Sequence, residues 1–194
     1  MEILFSDPNI AVCVKPVGLD SEHQVPEALS QALGGEIYPI HRLDRNVGGV
    51  MVFARNRAAA ASLSKAVQEG SGVKEYLALC HGTPEKQGTF QDLLFKDSRK
   101  NKVFVVKKKR AGVKEASLSY EALNEEDPCL VKIRLHTGRS HQIRVQFGSR
   151  GFPLVGDHKY GARDSEKVPR LYSFQLSFPY QGQLRTFKSM PDWA

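Results

Sequence analysis

An α+β domain with a largely antiparallel sheet is what this sequence predicts, and three observations predict it. Apolar and polar residues alternate with period two over 10–14, 50–53, 76–80, 103–106, 116–123, 130–135, 171–178 and 184–187, the pattern of strands with two unlike faces. Two stretches carry helical spacing and helix punctuation instead: 25–33, closed by Gly34 and Gly35, and 57–69, opened by the cap-competent Asn56 and closed by Gly70. These helices do not alternate regularly with the strands as βαβ units would, so a doubly wound parallel sheet is not expected.

A third helix is expected from near Arg139 to 148–151, because Ile143 and Phe147, four residues apart, share one helical face. No tandem repeat, low-complexity stretch or linker interrupts the pattern, and 194 residues suit one ordinary domain, 1–194. The segment 99–110, RKNKVFVVKKKR, brackets an apolar strand with two basic clusters. It reads equally as a charged hairpin beside a polyanion or as an edge protected by lysines.

Composition narrows the partner. With 28 Lys and Arg against 21 Asp and Glu, the formal net charge is +7, which favours a polyanion through counterion release. Cys13, Cys80 and Cys129 are odd in number, far apart and embedded in apolar runs, so buried thiols in a reducing compartment are expected, and no metal site. The N-terminus has an acid at position 2, a proline at position 8 and no long apolar core. That excludes a signal peptide or a spanning helix there, so the cytoplasm is the expected location, and a monomer is expected because no long apolar surface stripe stands out.

The chemistry concentrates in a few stretches. In HRLDRNVGGVMVFARN, residues 41–56, Asp44 stands between Arg42 and Arg45, just ahead of two glycines and an apolar run. Flanking guanidinium groups favour the ionised carboxylate, able to serve as nucleophile or base, or to close a turn by pairing with an arginine. Gly48 and Gly49 suit a close approach by a ligand or by another backbone segment. Residues 135–161 gather Arg139, His141, Gln142, Arg144 and Arg150, followed by a glycine-rich loop with Asp157, His158, Lys159 and Tyr160. His136 and His141 lack the spacing of a zinc site, and His41 and His158 read as hydrogen-bonded structural residues. In VKEYLALCHG, residues 73–82, Tyr76 offers a ring that can stack on a base and a hydroxyl that can bond, or it fills core space.

In this order these stretches resemble the RluA-type family of RNA pseudouridine synthases: K-P-x-G as Lys15, Pro16 and Gly18; H-R-L-D as His41 to Asp44; the tyrosine strand; and G-R-x-H-Q-I-R with G-x-P-L-x-G-D-x-x-Y-G over 138–161. The resemblance covers about residues 9–178 and implies the pseudouridine synthase catalytic fold, α+β with a mixed, mainly antiparallel sheet and flanking helices, which isomerises uridine to pseudouridine in ribosomal or transfer RNA. By that likeness Asp44 is the catalytic carboxylate, Tyr76 stacks on the target base, and Arg144, with Arg139 as the alternative, pairs with the carboxylate. Arg42 helps to replace the flipped nucleotide, and Lys15, Arg45, Arg139, His141 and Gln142 join it in holding RNA. No cofactor is implied, since nothing is transferred or oxidised.

The chain departs from the family pattern at Val47-Gly48, where Thr-Ser is usual, and at Gln146, where histidine is usual. The small N-terminal RNA-binding module of many relatives is expected to be absent, because K-P-x-G starts fifteen residues in. The missing hydroxyls motivate an alternative, a non-catalytic RNA-binding domain on the same scaffold. A third reading, a nucleoside hydrolase or glycosylase using Asp44, would release free uracil.

Overall fold

The computed structural model describes residues 1–194, and every side chain but that of Gln68. In chain order its elements are β1 (Glu2–Ser6), β2 (Ile10–Lys15), α1 (Gln24–Leu33), β3 (Tyr38–Pro39), β4 (Gly48–Ala54), α2 (Arg57–Gln68), β5 (Val73–Cys80), β6 (Gln87–Asp97), β7 (Lys102–Val106), β8 (Val113–Ala122), β9 (Cys129–Leu135), α3 (Gln142–Gly148), a 3-10 turn at His158–Tyr160, β10 (Leu171–Tyr180) and β11 (Gln183–Lys188). They form two compact units, 1–74 with 172–194, and 75–171.

In the first unit the strand order is β1-β2-β4-β10, with β11 on β10 and β3 on β4. β2 runs antiparallel to β4 from Ile10 opposite Ala54 to Lys15 opposite Gly49, whereas β10 is parallel to β4 through Tyr172 and Ser173 opposite Gly48 and Gly49. All seven residues of β4 are buried, which explains its apolar run: a central strand covered on both faces needs no polar alternation. Ile10, Val12, Val50, Val52, Ala54, Leu176 and Phe178 form one core cluster with Leu63 of α2, each large side chain contributing about 1.5–3 kcal/mol by burial.

The alanine-rich α2 starts where the sequence places it. The Asn56 side chain accepts the Ala59 N–H at 2.9 Å, and its amide also donates to Asn9 Oδ1 at 2.9 Å. Asn56→Ala is therefore expected to lower stability by about 1–2 kcal/mol, read from the urea midpoint at unchanged slope. An unchanged midpoint would mean that the cap does nothing for the fold.

In the second unit the order is β5-β9-β8-β6-β7, with β6 antiparallel to both β7 and β8 and β9 antiparallel to β8. Phe90, Tyr120 and Phe147 pack ring on ring at 4.8, 5.1 and 5.5 Å, so the apolar face of α3 seals the sheet. The basic segment 99–110 is a hairpin turn and edge strand, as its pattern suggests. Phe104 and Val105 on β7 are more than a third exposed.

Three elements differ from expectation. β6, eleven residues long, has no clean alternation because Asp92 lies on the inward face between Phe90 and Leu94; its carboxylate takes Gln146 Nε2 at 2.8 Å and Arg150 Nη1 at 2.8 Å. β1 is short and irregular, with a register shift between Ile3 and Phe5. α3 starts at Gln142, not near Arg139, since the Gln142 side chain accepts the Arg139 N–H at 3.0 Å and the Thr137 hydroxyl at 2.7 Å, and His141 sits in the left-handed region at φ 51°. These bonds hold 137–141 as a loop.

Candidate functional site

In the first unit Asp44 is half-buried in the loop that leads into β4, a loop closed by the Val47 N–H donating to the Asp44 carbonyl at 2.9 Å. The segment 15–22 laces this loop from one side. Gly18 N–H donates to the Arg45 carbonyl at 2.8 Å, while Arg45 Nε donates back to the Gly18 carbonyl at 2.7 Å. The buried Ser21 hydroxyl donates to the Leu43 carbonyl at 3.0 Å and accepts the Leu43 N–H at 3.3 Å. His41 anchors the near end, its Nε2 accepting the Val52 N–H at 3.2 Å. Burial, helped by the charge of Lys74, pushes the His41 imidazole down to about 3, so at neutral pH it is uncharged, with its proton on Nδ1.

Lys15 is wholly buried, and its ammonium donates to the carbonyls of Pro16, Leu19 and Arg45 at 3.0, 2.9 and 3.2 Å. Expected to hold RNA, this side chain is shut off from solvent and spent on three carbonyls, where it shapes the loop. Burial pushes it down from the ordinary 10.5 to about 8, against the opposing pull of Asp20 and then Asp44. Between about pH 8 and 10.5 the unfolded chain holds more protons here than the folded one, so the Lys15 contribution to stability rises with pH across that window and is flat below it. Urea titrations from pH 7.5 to 10.5 are expected to show that rise in the wild type relative to Lys15→Met. Parallel curves would refute it.

The glycines after Asp44 serve the backbone. A Cβ on Gly49 would lie 2.2 Å from the Ser173 carbonyl oxygen, and one on Gly48 would lie 3.2 Å from the Lys15 oxygen and the Tyr172 ring. Of the two approaches open from the sequence, β10 and β2 supply one. Of the two positions where Thr-Ser is usual, Gly48 sits in this strand packing. Of the flanking arginines, Arg45 is tied to Gly18, and the exposed Arg42 pairs with Glu22 at 3.2 Å. A cavity of about 30 Å³ adjoins His41, Leu63 and Lys74, far too small for a nucleobase.

In the second unit Tyr76 is buried on β5. Arg144, on α3, is 9% exposed and gives Nε and Nη2 to the two oxygens of Asp157 at 2.7 and 2.8 Å. Its guanidinium lies 5.2 Å from the Tyr160 ring centre, and the Tyr160 hydroxyl pairs with His141 Nδ1 at 2.7 Å. Arg139 is exposed, its Nε donating to the Glu115 carbonyl at 2.8 Å. Gln142 is 3% exposed, and its amide donates to the Ser117 carbonyl at 3.0 Å, so it builds the loop before α3. Sequence reasoning gave no role to Ser21, Glu22, Asp92 or Asp157. The GD pair at 156–157 was the signal for the last.

Cys13, Cys80 and Cys129 are unpaired, buried thiols, burial pushing Cys13 and Cys80 up to about 12. Among the described residues no group of three or more His, Cys, Asp or Glu could hold a metal, and no helix is long and apolar enough to cross a membrane.

Comparison with known proteins follows these motifs. The model of a family described as RNA pseudouridylate synthase matches residues 9–149. An uncharacterized RNA pseudouridine synthase of Aquifex aeolicus is 32% identical over 234 residues, covering 100% of this chain and 72% of that protein. Ribosomal large subunit pseudouridine synthase D of Zymomonas mobilis is 30% identical over 199 residues, covering 93% of this chain and 62% of that protein. Against other curated relatives the chain spans from 42% to 88% of their length. The solved structure of human RNA Pseudouridylate Synthase Domain Containing 1 superposes with a TM-score of 0.85 at 24% identity, covering 100% of this chain and 84% of that one, which speaks for the fold alone. A family model that accounts for most of the chain, and a relative alike along all of it, make this chain a member of the RNA pseudouridylate synthase family and an enzyme of that class.

Proposed function

We propose that residues 1–194 act as one catalytic domain that isomerises uridine to pseudouridine in structured ribosomal or transfer RNA, with Asp44 as the catalytic carboxylate. The observation that carries this reading is the lacing of the Asp44 loop: buried Lys15 and Ser21 and half-buried His41 spend polar groups on backbone atoms either side of one acid. Fixing a side chain's direction in this way is what catalysis requires of a nucleophile or base. A net charge of +7 supports an RNA partner.

In the reaction the N1–C1′ bond breaks, the uracil turns, and C5 bonds to C1′; C5 loses its proton and N1 gains one, so no electron leaves the substrate. Asp44 assists either by attacking covalently or by removing a ribose proton. Tyr76 stacks on the flipped base and Arg42 takes up the space it leaves, offsetting part of an unstacking cost of about a few kcal/mol. Arg144, with Arg139 as the alternative, pairs with the carboxylate. Arg45, Arg139 and His141 contribute to RNA binding. The same reading makes the enzyme a cytoplasmic monomer that needs no cofactor.

The test is RNA carrying 5-tritiated uridine, incubated with the chain and then digested for chromatography. Tritium release with matching pseudouridine is expected. Free uracil would replace the isomerase by a glycosylase. Tight, salt-sensitive binding that leaves every uridine unmodified would leave only an RNA-binding domain.

A further inference from the structure

The setting of Arg144 gives a part in the reaction to Asp157, to which neither the motifs nor the comparisons assign one. The Asp157 carboxylate is 1% exposed and meets Arg144 edge to edge, Nε to Oδ2 at 2.7 Å and Nη2 to Oδ1 at 2.8 Å. Two parallel charge-assisted bonds fix both the plane and the rotation of a guanidinium, which one bond or an ammonium partner could not do.

The carboxylate is itself fixed. Asp157 N–H donates to the Leu154 carbonyl at 3.0 Å, and its own carbonyl accepts the N–H groups of Tyr160 and Ala162 at 3.0 and 3.2 Å. Gly156, before it, has φ +78° and runs so close to Val168 that a Cβ would stand 2.1 Å from that carbonyl oxygen. From the other face the Tyr160 ring underlies the guanidinium at 5.2 Å. The ring is pinned in turn, its hydroxyl accepting the Val103 N–H at 2.9 Å and bonding His141 Nδ1 at 2.7 Å. Gly148 lets α3 approach this turn, since a Cβ there would lie 2.6 Å from the Tyr160 oxygen.

Stability does not require such a pair. A buried ion pair contributes little beyond what apolar residues of the same volume would, because both charges lose their hydration. What the pair supplies is direction.

We propose that Asp157 is a positioning residue for pseudouridine formation: it occupies the Nε and Nη2 edge of Arg144 and so fixes the plane and rotation of the guanidinium that the reaction uses. The inference rests on the role of Arg144 in the proposed function. Asp157 touches no substrate; it acts through the arginine.

Full-length wild type, Asp157→Asn, Asp157→Glu, Arg144→Ala and Arg144→Ala/Asp157→Ala are compared by tritium release, by RNA binding in fluorescence anisotropy, and by recovery of rate in millimolar guanidinium chloride. Asp157→Asn keeps the size but presents an amide N–H to Nη2, and kcat is expected to fall at least about 30-fold while KM and the RNA Kd move less than about threefold. Asp157→Glu keeps the charge and is expected to recover part of that loss. Guanidinium is expected to restore turnover to Arg144→Ala only where the Asp157 carboxylate remains to orient it, and not to the double variant.

An unchanged kcat in folded Asp157→Asn, or equal guanidinium recovery with and without Asp157, would overturn the inference. Should Asp157→Asn unfold, the two Arg144→Ala chains decide alone. A wild type that forms no pseudouridine overturns the proposed function and this inference with it, whereas an active wild type with an indifferent Asp157 overturns the inference only.

Discussion

In Asp44→Asn, pseudouridine formation is expected to fall by on the order of 10⁴-fold or more, while the chain folds and binds RNA much as before. Asparagine keeps the shape of the side chain but cannot ionise, so it neither attacks C1′ nor accepts a ribose proton, and both routes open to the carboxylate close together. Folding should survive because the lacing of the loop uses other atoms. The backbone carbonyl of Asp44 accepts Val47 N–H, Ser21 holds Leu43, and Lys15 holds Arg45. One secondary effect is foreseen. The Asp44 charge partly opposes the burial that lowers Lys15, so its removal should lower the Lys15 pKa further, a change readable in the alkaline stability curve even with no RNA present.

Two measurements decide the matter: tritium release from 5-tritiated uridine RNA, and the RNA dissociation constant at fixed salt, expected within about threefold of wild type. Release at more than a hundredth of the wild-type rate would remove Asp44 from the chemistry. A collapse of RNA binding with intact folding would recast it as a recognition residue. Either result would reopen Arg42 and Arg45, the exposed cations beside it, as the centre of function.

What could be read in advance divides along a physical line. Elements governed by local chemistry were legible: Asn56 caps α2 through a bond three residues long, and the strands 10–15, 48–54 and 171–180 follow from runs of β-branched and aromatic residues. Elements governed by distant partners were not. β6 hides because an inward Asp92 meets Arg150, 58 residues away, and α3 starts late because Gln142 reaches back to Thr137 and Arg139. The candidate site divides in the same way. Asp44, Tyr76 and Arg144 stand out as candidates through residue type and order, but sequence cannot say that a lysine will turn inward onto three carbonyls, as Lys15 does. Nor can it choose which neighbour will claim a guanidinium, and Asp157 claims that of Arg144 from thirteen residues away.

Gly49→Ala is expected to be the most damaging single-methyl change in the first unit, lowering stability by more than about 4 kcal/mol, or preventing folding altogether. Two effects coincide at this position. Its φ of +122° lies where side chains are rarely tolerated, which alone costs about 1–3 kcal/mol. In addition the new Cβ would meet Ser173 O, N and C at 2.2, 2.6 and 2.8 Å, and these are backbone atoms of β10 paired in register with β4 at this residue. No rotamer relieves that clash; the two parallel strands would have to separate, breaking the ladder and the buried Ser173 hydroxyl bond to the Val50 carbonyl at 3.1 Å. Gly34 is the control. It also has positive φ, +73°, but nothing lies within 4 Å of its Cβ position, so Gly34→Ala should show the strain alone. Urea midpoints, or soluble yield where Gly49→Ala does not fold, measure the difference. Equal losses at the two positions would mean that β4 and β10 are not held this close, and strand packing would then no longer account for the glycines that follow Asp44.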